Sequence, residues 1–239
     1  MNDFQPMLPY LAGFLASYIL GSIPFGFLIA KARGVDIRTL GSGNIGATNV
    51  FRSLGKGPGI LTFALDFAKG LVAALVIAAV ANRLLGPVGD QLPCLRLVCG
   101  AGALVGHSFP VFLGFKGGKG VATGLGLAIG LAPHAALLGL AVWIVAFGAT
   151  RYVSVGSVLA ALVVGAAPWW LDRPADGGAG WNAVCAAISI LAALVVLRHR
   201  SNLARLARGT ENRFCFTERQ RAERERRRAE REAAERKGV

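Results

Sequence analysis

Long apolar stretches run through most of the chain and constrain its fold more than any other feature. Seven of them approach the ~20 residues that a helix needs to cross a hydrocarbon layer of ~30 Å. They cover residues 8–30, 57–81, 95–115, 121–133, 134–148, 153–171 and 181–197. Backbone groups in lipid must be hydrogen-bonded internally, which favours helices over open sheets. The sequence therefore predicts an all-α, polytopic integral membrane protein with about seven transmembrane helices.

The composition agrees with that prediction. Hydrophobic residues make up 54% of the 239 residues, and the mean hydropathy is +0.53, well above what one soluble core requires. The fourth and fifth stretches meet at Pro133, so they are either two short spans joined by a tight turn or one broken segment. The first stretch has no basic segment before it and no cleavage site after it, so it is expected to be a span rather than a signal peptide.

The distribution of basic residues predicts the orientation in the membrane. Of the 26 Lys and Arg residues, 22 follow odd-numbered spans, three follow even-numbered spans, and Lys69 lies inside the second span. By the positive-inside rule, the N-terminus is then outside and the C-terminus is in the cytoplasm. The net charge of +13 therefore reflects topology, and no nucleic-acid partner is expected.

A compositional break divides the chain into a membrane domain, residues 1–216, and a charged cytoplasmic tail, residues 217–239. The tail is rich in Arg interleaved with Glu, which indicates a solvated helix or frayed end. Attraction to anionic headgroups is the alternative, weakened by the acidic residues.

The first of three polar segments, residues 41–52, follows the first span. Glycines allow backbone amides to converge on an anion, and neutral donors lie between them. These residues are Gly41, Gly43 and Gly46 with Ser42, Asn44, Thr48 and Asn49. Arg52 adds a guanidinium that pairs bidentately with phosphate. The alternative is a glycine-rich turn with an arginine that reaches to the interface.

The second polar segment, residues 106–123, follows the third span. Lys116, Gly117, Gly118 and Lys119 stand directly before a hydrophobic helix, where cations and free amides favour an anion. The spacing is not that of a Walker A loop, so ATP binding is not indicated. The alternative, interfacial anchoring by two lysines, would not need the glycines. His107 in the same segment is either a site residue or a core histidine.

The third polar segment, residues 198–211, follows the seventh span. If it is helical, His199 and Asn202 are three residues apart on one face and point back into the bundle. A basic anchor beside the membrane is the alternative. All three segments, and Ser154 after the fifth span, fall on the same predicted face, which independent anchors would not explain. A cytoplasmic pocket for phosphate groups, opening beside the lipid, is therefore predicted.

Two further groups of residues have side chains capable of chemistry. Asp66 and Lys69 lie deep in the second span at a spacing that allows an ion pair, which we expect to be structural because it is remote from the loops. The four cysteines form no CxxC pair and no cluster with histidine, so no metal site is predicted.

The motifs together resemble the acyl-phosphate-dependent glycerol-3-phosphate acyltransferases of bacteria, the PlsY family. The resemblance covers nearly the whole chain, from GSIPFGF at Gly21 through GSGNIGATNVFR, GHSFPVFLGFKGGKGVAT and RYVSVGS to RHRSNLARLARGTE. It implies a seven-helix enzyme of the inner membrane that moves a fatty acyl group from acyl phosphate to the 1-hydroxyl of glycerol 3-phosphate. The products are lysophosphatidic acid and phosphate, in the first step of phospholipid synthesis.

The resemblance also implies partners and residue roles. No cofactor is expected; the partners are the two substrates, membrane lipid and, as a candidate, the enzyme that makes acyl phosphate. Ser42 and Arg52 correspond to essential residues of the family's first motif, and residues 116–119 to its glycerol-phosphate loop. His199 and Asn202 correspond to essential residues of the third motif, and Glu211 to a structural glutamate.

Three questions of mechanism and function stay open from the sequence. Because acyl phosphate already has a good leaving group, direct transfer is favoured over an acyl-enzyme on Ser42, which has no nucleophile elbow around it. A transporter for an organic phosphate would use similar cations but should show internal repeats, and none is visible. A membrane anchor that recruits partners through its tail would depend on residues 217–239.

Overall fold

A computed structural model describes residues 7–174 and 180–215, and the predicted tail, residues 217–239, lies outside them. Within these ranges the chain forms α-helices joined by short turns, and no strand occurs in them. The helices are α1 Leu8–Ser22, α2 Phe25–Lys31, α3 Ala47–Leu54, α4 Lys56–Val72, α5 Ala78–Leu85, α6 Leu92–Ser108, α7 Val121–Leu131, α8 Pro133–Thr150, α9 Val153–Ala166, α10 Pro168–Leu171, α11 Trp181–Arg198 and α12 Arg200–Ala207. The predicted all-α class is confirmed.

In the described part of the chain, six helical stretches are long and apolar enough to cross a membrane. They are Leu8–Lys31, Lys56–Leu85, Gly89–Leu113, Pro133–Thr150, Val153–Leu171 and Trp181–Arg198. The remaining predicted span, α7, has 11 residues and is therefore ~16 Å long, about half the thickness of the hydrocarbon layer. The count of seven spans and the orientation of the termini stay predictions.

Prolines set two of the helix breaks. Ile23 is extended, with a ψ of 114°, and Pro24 directly precedes α2, so the first predicted span consists of two helices. Ala132 separates α7 from Pro133, the first residue of α8, so the fourth and fifth stretches are two helices joined by a tight turn. Between α4 and α5 the helix continues through a π-helical turn, Ala73–Ile77.

Close backbone contacts at glycines hold the helices together. A Cβ atom at Gly21 of α1 would lie 2.2 Å from the carbonyl oxygen of Ala103 in α6. A Cβ atom at Gly126 of α7 would lie 2.1 Å from the carbonyl oxygen of Phe67 in α4. Small residues at such crossings allow helices to pack tightly in lipid, where dispersion contacts replace the hydrophobic effect. The contact with α4 fixes the position of the short α7 helix.

Polar chain segments meet at one end of the bundle. The loop before α3, the start of α7, the start of α9 and the junction of α11 with α12 all line one cavity there. At the other end, Asp172 caps α8 by accepting hydrogen bonds from the backbone N–H groups of His134 and Ala135, at 3.0 and 2.9 Å. The polar segments therefore lie at one end of the bundle and the Asp172 cap of α8 at the other.

Candidate active site

The first polar loop is organised by the buried side chain of Asn49. Its Oδ1 accepts a hydrogen bond from the backbone N–H of Ser42 at 3.0 Å, and its Nδ2 donates to the carbonyls of Leu40 and Asn44 at 3.0 and 2.9 Å. Gly41, with a φ of +58°, packs on Asn49, and a Cβ atom there would lie 2.4 Å from Oδ1. The backbone N–H of Ser42 is thus used within the loop, and the exposed side chain of Ser42 lines the cavity.

Arg52 joins this loop to the segment after α12. One of its terminal nitrogens donates to the carbonyl of Asn212 at 3.0 Å, and its guanidinium lies 5.6 Å from the centre of the Phe214 ring. Phe214 in turn packs against Phe51, with ring centres 5.3 Å apart, and its N–H donates to the carbonyl of Arg151. The C-terminal segment therefore holds the Arg52 guanidinium at the mouth of the cavity.

His107 supports the second polar loop from inside the bundle. Its carbonyl accepts the N–H of Gly118 at 3.0 Å, and a Cβ atom at Gly118 would lie 2.0 Å from its Nε2. Its Nδ1 lies 3.4 Å from Oδ1 of Asp66. Lys69 Nζ lies 2.8 Å from the same oxygen and donates to the carbonyl of Ile23. His107 thus connects the loop to a buried ion pair.

The predicted Asp66–Lys69 ion pair is present, but its expected remoteness from the loops was wrong. Asp66 lines the same cavity as Ser42. The distance along α4 suggested that the ion pair is far from the polar loops. That distance does not take into account the loop after α6, which reaches inward towards the pair. His107 closes the remaining gap, so the Asp66 side of the ion pair forms part of the floor of the site.

The third segment bends at His199, between α11 and α12, and places two side chains in the cavity. His199 and Asn202 are 3% and 7% exposed, and both line the cavity, as their spacing predicted. His199 Nδ1 lies 2.8 Å from the carbonyl oxygen of Val195. A carbonyl only accepts, so Nδ1 carries the proton and Nε2 is an acceptor. Burial lowers the pKa of His199 to about 4, so the ring is neutral at pH 7.

Glu211 links the motifs through a buried hydrogen-bond network. Its Oε1 accepts from Ser154 Oγ at 3.1 Å and from Asn202 Nδ2 at 2.7 Å, and its Oε2 accepts from Arg205 Nε at 2.8 Å. Asn202 Oδ1 accepts from Lys119 Nζ. Burial alone would raise the pKa of Glu211, but these hydrogen bonds outweigh it and hold the pKa below its usual value. The carboxylate is charged and orients Asn202 towards Lys119.

The two lysines of the second motif occupy different environments. Lys119 is half-buried and lines the cavity, whereas Lys116 is exposed. Burial lowers the pKa of Lys119 to about 8; Glu211 raises it in part, and the nearby arginines 205, 52 and 198 lower it further. Lys119 is therefore still cationic at pH 7 but close to titration.

The cavity has a volume of about 390 Å³ and two chemically distinct parts. Its polar end is formed by the side chains described above. Its apolar part follows α7 from Val121 to Leu131 and is completed by α8, α9 and α11. Val164 and Ile188 line it far from the polar end. One cavity therefore combines a cationic mouth with a long apolar interior.

Most of the residues predicted from the sequence meet at this cavity. The lining includes Ser42, Asn44, Thr48, Asn49, Arg52, His107, Lys119, Ser154, His199, Asn202 and Glu211. Five predicted residues in the described ranges are not in its lining: Gly41, Gly43, Lys116, Gly117 and Gly118. These glycines shape the two loops instead, and the roles of all these residues in substrate binding stay predictions.

Two charged side chains of the site, Arg205 and Arg198, were not predicted as site residues, and a third, Asp66, was expected only as part of a remote ion pair. Arg205 pairs with Glu211, Asp66 forms the floor, and Arg198 contacts the second loop. Arg205 lies six residues before Glu211, and Arg198 directly precedes His199, but both looked like interfacial anchors. Only their partners across the fold distinguish them from the other basic residues.

Comparisons with known proteins agree with this geometry. The family model described as glycerol-3-phosphate acyltransferase matches residues 11–209. A glycerol-3-phosphate acyltransferase of Desulforudis audaxviator is 47% identical over 201 residues, covering 84% of this chain and 93% of that protein. One of Aquifex aeolicus is 43% identical over 198 residues, covering 83% and 95%.

Two crystal structures of PlsY (YgiH), an integral membrane glycerol 3-phosphate acyltransferase, have the same fold. Its glycerol 3-phosphate form is 41% identical with a TM-score of 0.74, covering 86% of this chain and 96% of that one. Its lysophosphatidic acid form is 40% identical with a TM-score of 0.72, covering 86% and 95%. With the apolar helices described above, these matches show an integral membrane protein. The chain belongs to the glycerol-3-phosphate acyltransferase family.

Proposed function

We propose that this enzyme transfers a fatty acyl group from acyl phosphate to the 1-hydroxyl of glycerol 3-phosphate, and releases lysophosphatidic acid and inorganic phosphate. The reaction takes place at the cytoplasmic face of the inner membrane. The acyltransferase class follows from the family, whereas the acyl phosphate donor, the product and the location are the proposal. The names of the PlsY crystal forms, with glycerol 3-phosphate and with lysophosphatidic acid, support the acceptor and the product.

The observation that carries the proposal is the two-part cavity. An acyl phosphate has a charged head and a long apolar tail, and glycerol 3-phosphate is a small polar anion. The cationic mouth suits both phosphates, and the apolar part along α7 suits the tail. A soluble phosphorylated substrate and a lipid substrate therefore meet where the polar end of the cavity joins its apolar part.

Cations and hydrogen-bond donors at the mouth supply most of the catalysis in this proposal. Arg52 and Lys119 hold phosphate oxygens and stabilise the charge that develops on the leaving phosphate. Ser42 and Asn202 orient the two substrates, and Glu211 holds Asn202 in place. Because phosphate is a good leaving group, fixing the two reactants in line provides much of the acceleration.

The chemical step is a direct displacement. The 1-hydroxyl oxygen attacks the acyl carbon and forms the ester bond, while the bond between the acyl carbon and the phosphate oxygen breaks. The phosphate leaves with the bonding electron pair, and one of the substrate phosphate oxygens takes the hydroxyl proton. Neutral His199, with Nε2 as an acceptor, receives a hydrogen bond from the acceptor substrate and orients its hydroxyl.

An acyl-enzyme on Ser42 is not part of this mechanism. Among the described hydrogen bonds, none joins the Ser42 hydroxyl to His199 or His107, so no base is poised to activate it. Labelled acyl phosphate incubated without acceptor should therefore leave no covalent adduct on Ser42. A stable adduct found by mass spectrometry would overturn direct transfer.

The purified protein in detergent, given palmitoyl phosphate and glycerol 3-phosphate, tests the reaction. We expect lysophosphatidic acid and phosphate in equal amounts, and no product when palmitoyl-CoA replaces palmitoyl phosphate. Arg52→Ala should lower turnover at least a hundredfold, whereas Arg33→Ala, an exposed cation outside the cavity, should not. No product from the wild type, or equal loss in both variants, would refute the assignment.

The orientation needs a separate test. In a variant whose four native cysteines are replaced by serine, Lys116→Cys should react with a membrane-impermeant maleimide in inverted inner-membrane vesicles and not in intact spheroplasts. Labelling from the outside would contradict the cytoplasmic site.

A further inference from the structure

We propose that Arg198 is a positioning residue that clamps the second polar loop and so places Lys119 at the phosphate end of the cavity. The proposal rests on the proposed function for its kinetic readout. Arg198 is half-buried at the end of α11, directly before His199. It is not in the lining of the cavity among the described residues, so it acts through the loop rather than on a substrate.

The Arg198 guanidinium binds three backbone carbonyls at once. One terminal nitrogen donates to the carbonyl oxygens of Ser108 at 3.1 Å, Gly117 at 3.0 Å and Gly118 at 3.0 Å. Its Nε donates to Gly118 again at 3.2 Å, and the guanidinium lies 5.0 Å from the centre of the Phe109 ring. The planar guanidinium directs two nitrogens at this cluster at once, whereas an ammonium has only one nitrogen to offer.

The three carbonyls belong to parts of the chain that need an external partner. Ser108 is the last residue of α6, where the carbonyls have no partner within the helix and a cation is favoured. Residues 114–120 form no helix and include Phe115 with a φ of +62°, a conformation that a non-glycine residue rarely adopts. The loop therefore depends on contacts from outside to keep its shape.

Arg198 and His107 hold the loop from two sides. Gly118 donates its N–H to the carbonyl of His107, while its own carbonyl faces Arg198. Because a trans peptide directs its C=O and the following N–H in opposite directions, the Lys119 N–H points away from Arg198. The clamp thus sets the direction in which the chain enters Lys119.

The same clamp couples two motifs that are far apart in the sequence. Arg198 precedes His199, and Gly118 precedes Lys119, which itself binds Asn202. Two neighbouring contacts therefore join the loop to the α11–α12 junction. Without Arg198, the loop keeps the His107–Gly118 and Lys119–Asn202 hydrogen bonds but loses its contact with the end of α11, so it can move relative to His199.

Kinetics with both substrates varied test the clamp. Arg198→Ala should raise KM for glycerol 3-phosphate about tenfold to hundredfold, the range expected when hydrogen bonds to a charged group are lost. Its kcat should also fall, because Lys119 stabilises the charge on the leaving phosphate. Its KM for palmitoyl phosphate should stay within about threefold, because burial of the acyl chain supplies most of that affinity. Added guanidinium chloride at millimolar concentration should partly restore KM.

Two further variants separate geometry from charge. Arg198→Lys keeps the charge but not the fork, so KM for glycerol 3-phosphate should remain at least fivefold above that of the wild type. Arg200→Ala removes an exposed cation two residues away and should leave KM within twofold. Wild-type KM in Arg198→Ala, an equal rise in Arg200→Ala, or a loss of kcat without a change in KM would each overturn the clamp.

Hydrogen–deuterium exchange tests the clamp without relying on activity. In the full-length protein, peptides that cover residues 109–120 should exchange at least tenfold faster in Arg198→Lys than in the wild type, and those from α1 should not change. Unchanged exchange would refute the clamp even in an active enzyme. A wild type that makes no lysophosphatidic acid but shows this exchange pattern would refute the proposed function alone.

Discussion

Loss of the Lys119 charge should make kcat/KM fall at alkaline pH, as an alkaline limb in its pH profile. With a pKa of about 8, Lys119 is about 90% protonated at pH 7 and about 10% protonated at pH 9. The lowered pKa means that the cation is present below pH 8 and lost above it. If the ammonium holds a phosphate, kcat/KM should fall roughly tenfold between pH 7 and pH 9.

The assay is initial-rate formation of lysophosphatidic acid with both substrates below saturation, because kcat/KM then reports the pKa of the free enzyme. Spontaneous hydrolysis of acyl phosphate is measured in parallel and subtracted. Lys119→Arg keeps its charge throughout this range, so its profile should lose the limb. Lys116→Arg, at the exposed lysine of the same loop, should keep it.

Two outcomes would refute this reasoning. A flat wild-type profile from pH 7 to pH 9.5 would mean that Lys119 does not titrate in this range or does not act as a cation. A limb that persists in Lys119→Arg would assign the titration to another group.

Three other predictions address stability, chain length and the tail. Glu211→Gln should destabilise the protein by about 2 kcal/mol or more, because charge-assisted hydrogen bonds are lost. The measurement is the thermal midpoint in detergent, which should be lower. Since the pKa of Glu211 is lowered in the folded protein, the stabilisation that its carboxylate provides should also fade as the pH falls. Gly139→Ala should shift preference towards shorter acyl phosphates, because the new Cβ would lie 2.6 Å from Val164 Cγ2, and adding Val164→Ala should reverse the shift. Deletion of the tail from Thr217 onward should leave turnover within twofold, and a complete loss would instead favour the anchor hypothesis.

Much of the fold was predictable because hydropathy is a local property of the chain. Apolar runs of membrane length show where helices lie, and Pro133 marks the break between α7 and α8. The first predicted span is present as Leu8–Lys31, although Pro24 divides it into two helices. The apolar stretch that forms α7 is visibly short in the sequence. The position of α7 against α4, however, depends on a backbone contact at Gly126 that no local pattern shows.

The candidate site, like the fold, has features that the local sequence shows and contacts that only the packing of the helices sets. Residue type and the common predicted face indicated a shared site, and the family resemblance singled out Ser42, Arg52, His199 and Asn202, all of which line the cavity. Which charges meet which partners required the packed structure, because the Lys119–Asn202 and Arg198–Gly118 contacts join residues 83 and 80 positions apart. A basic residue at a membrane interface looks the same in sequence whether it anchors the helix in lipid or binds a loop. Its partner depends on how the helices pack, and in lipid that packing is decided by short-range contacts between distant parts of the chain.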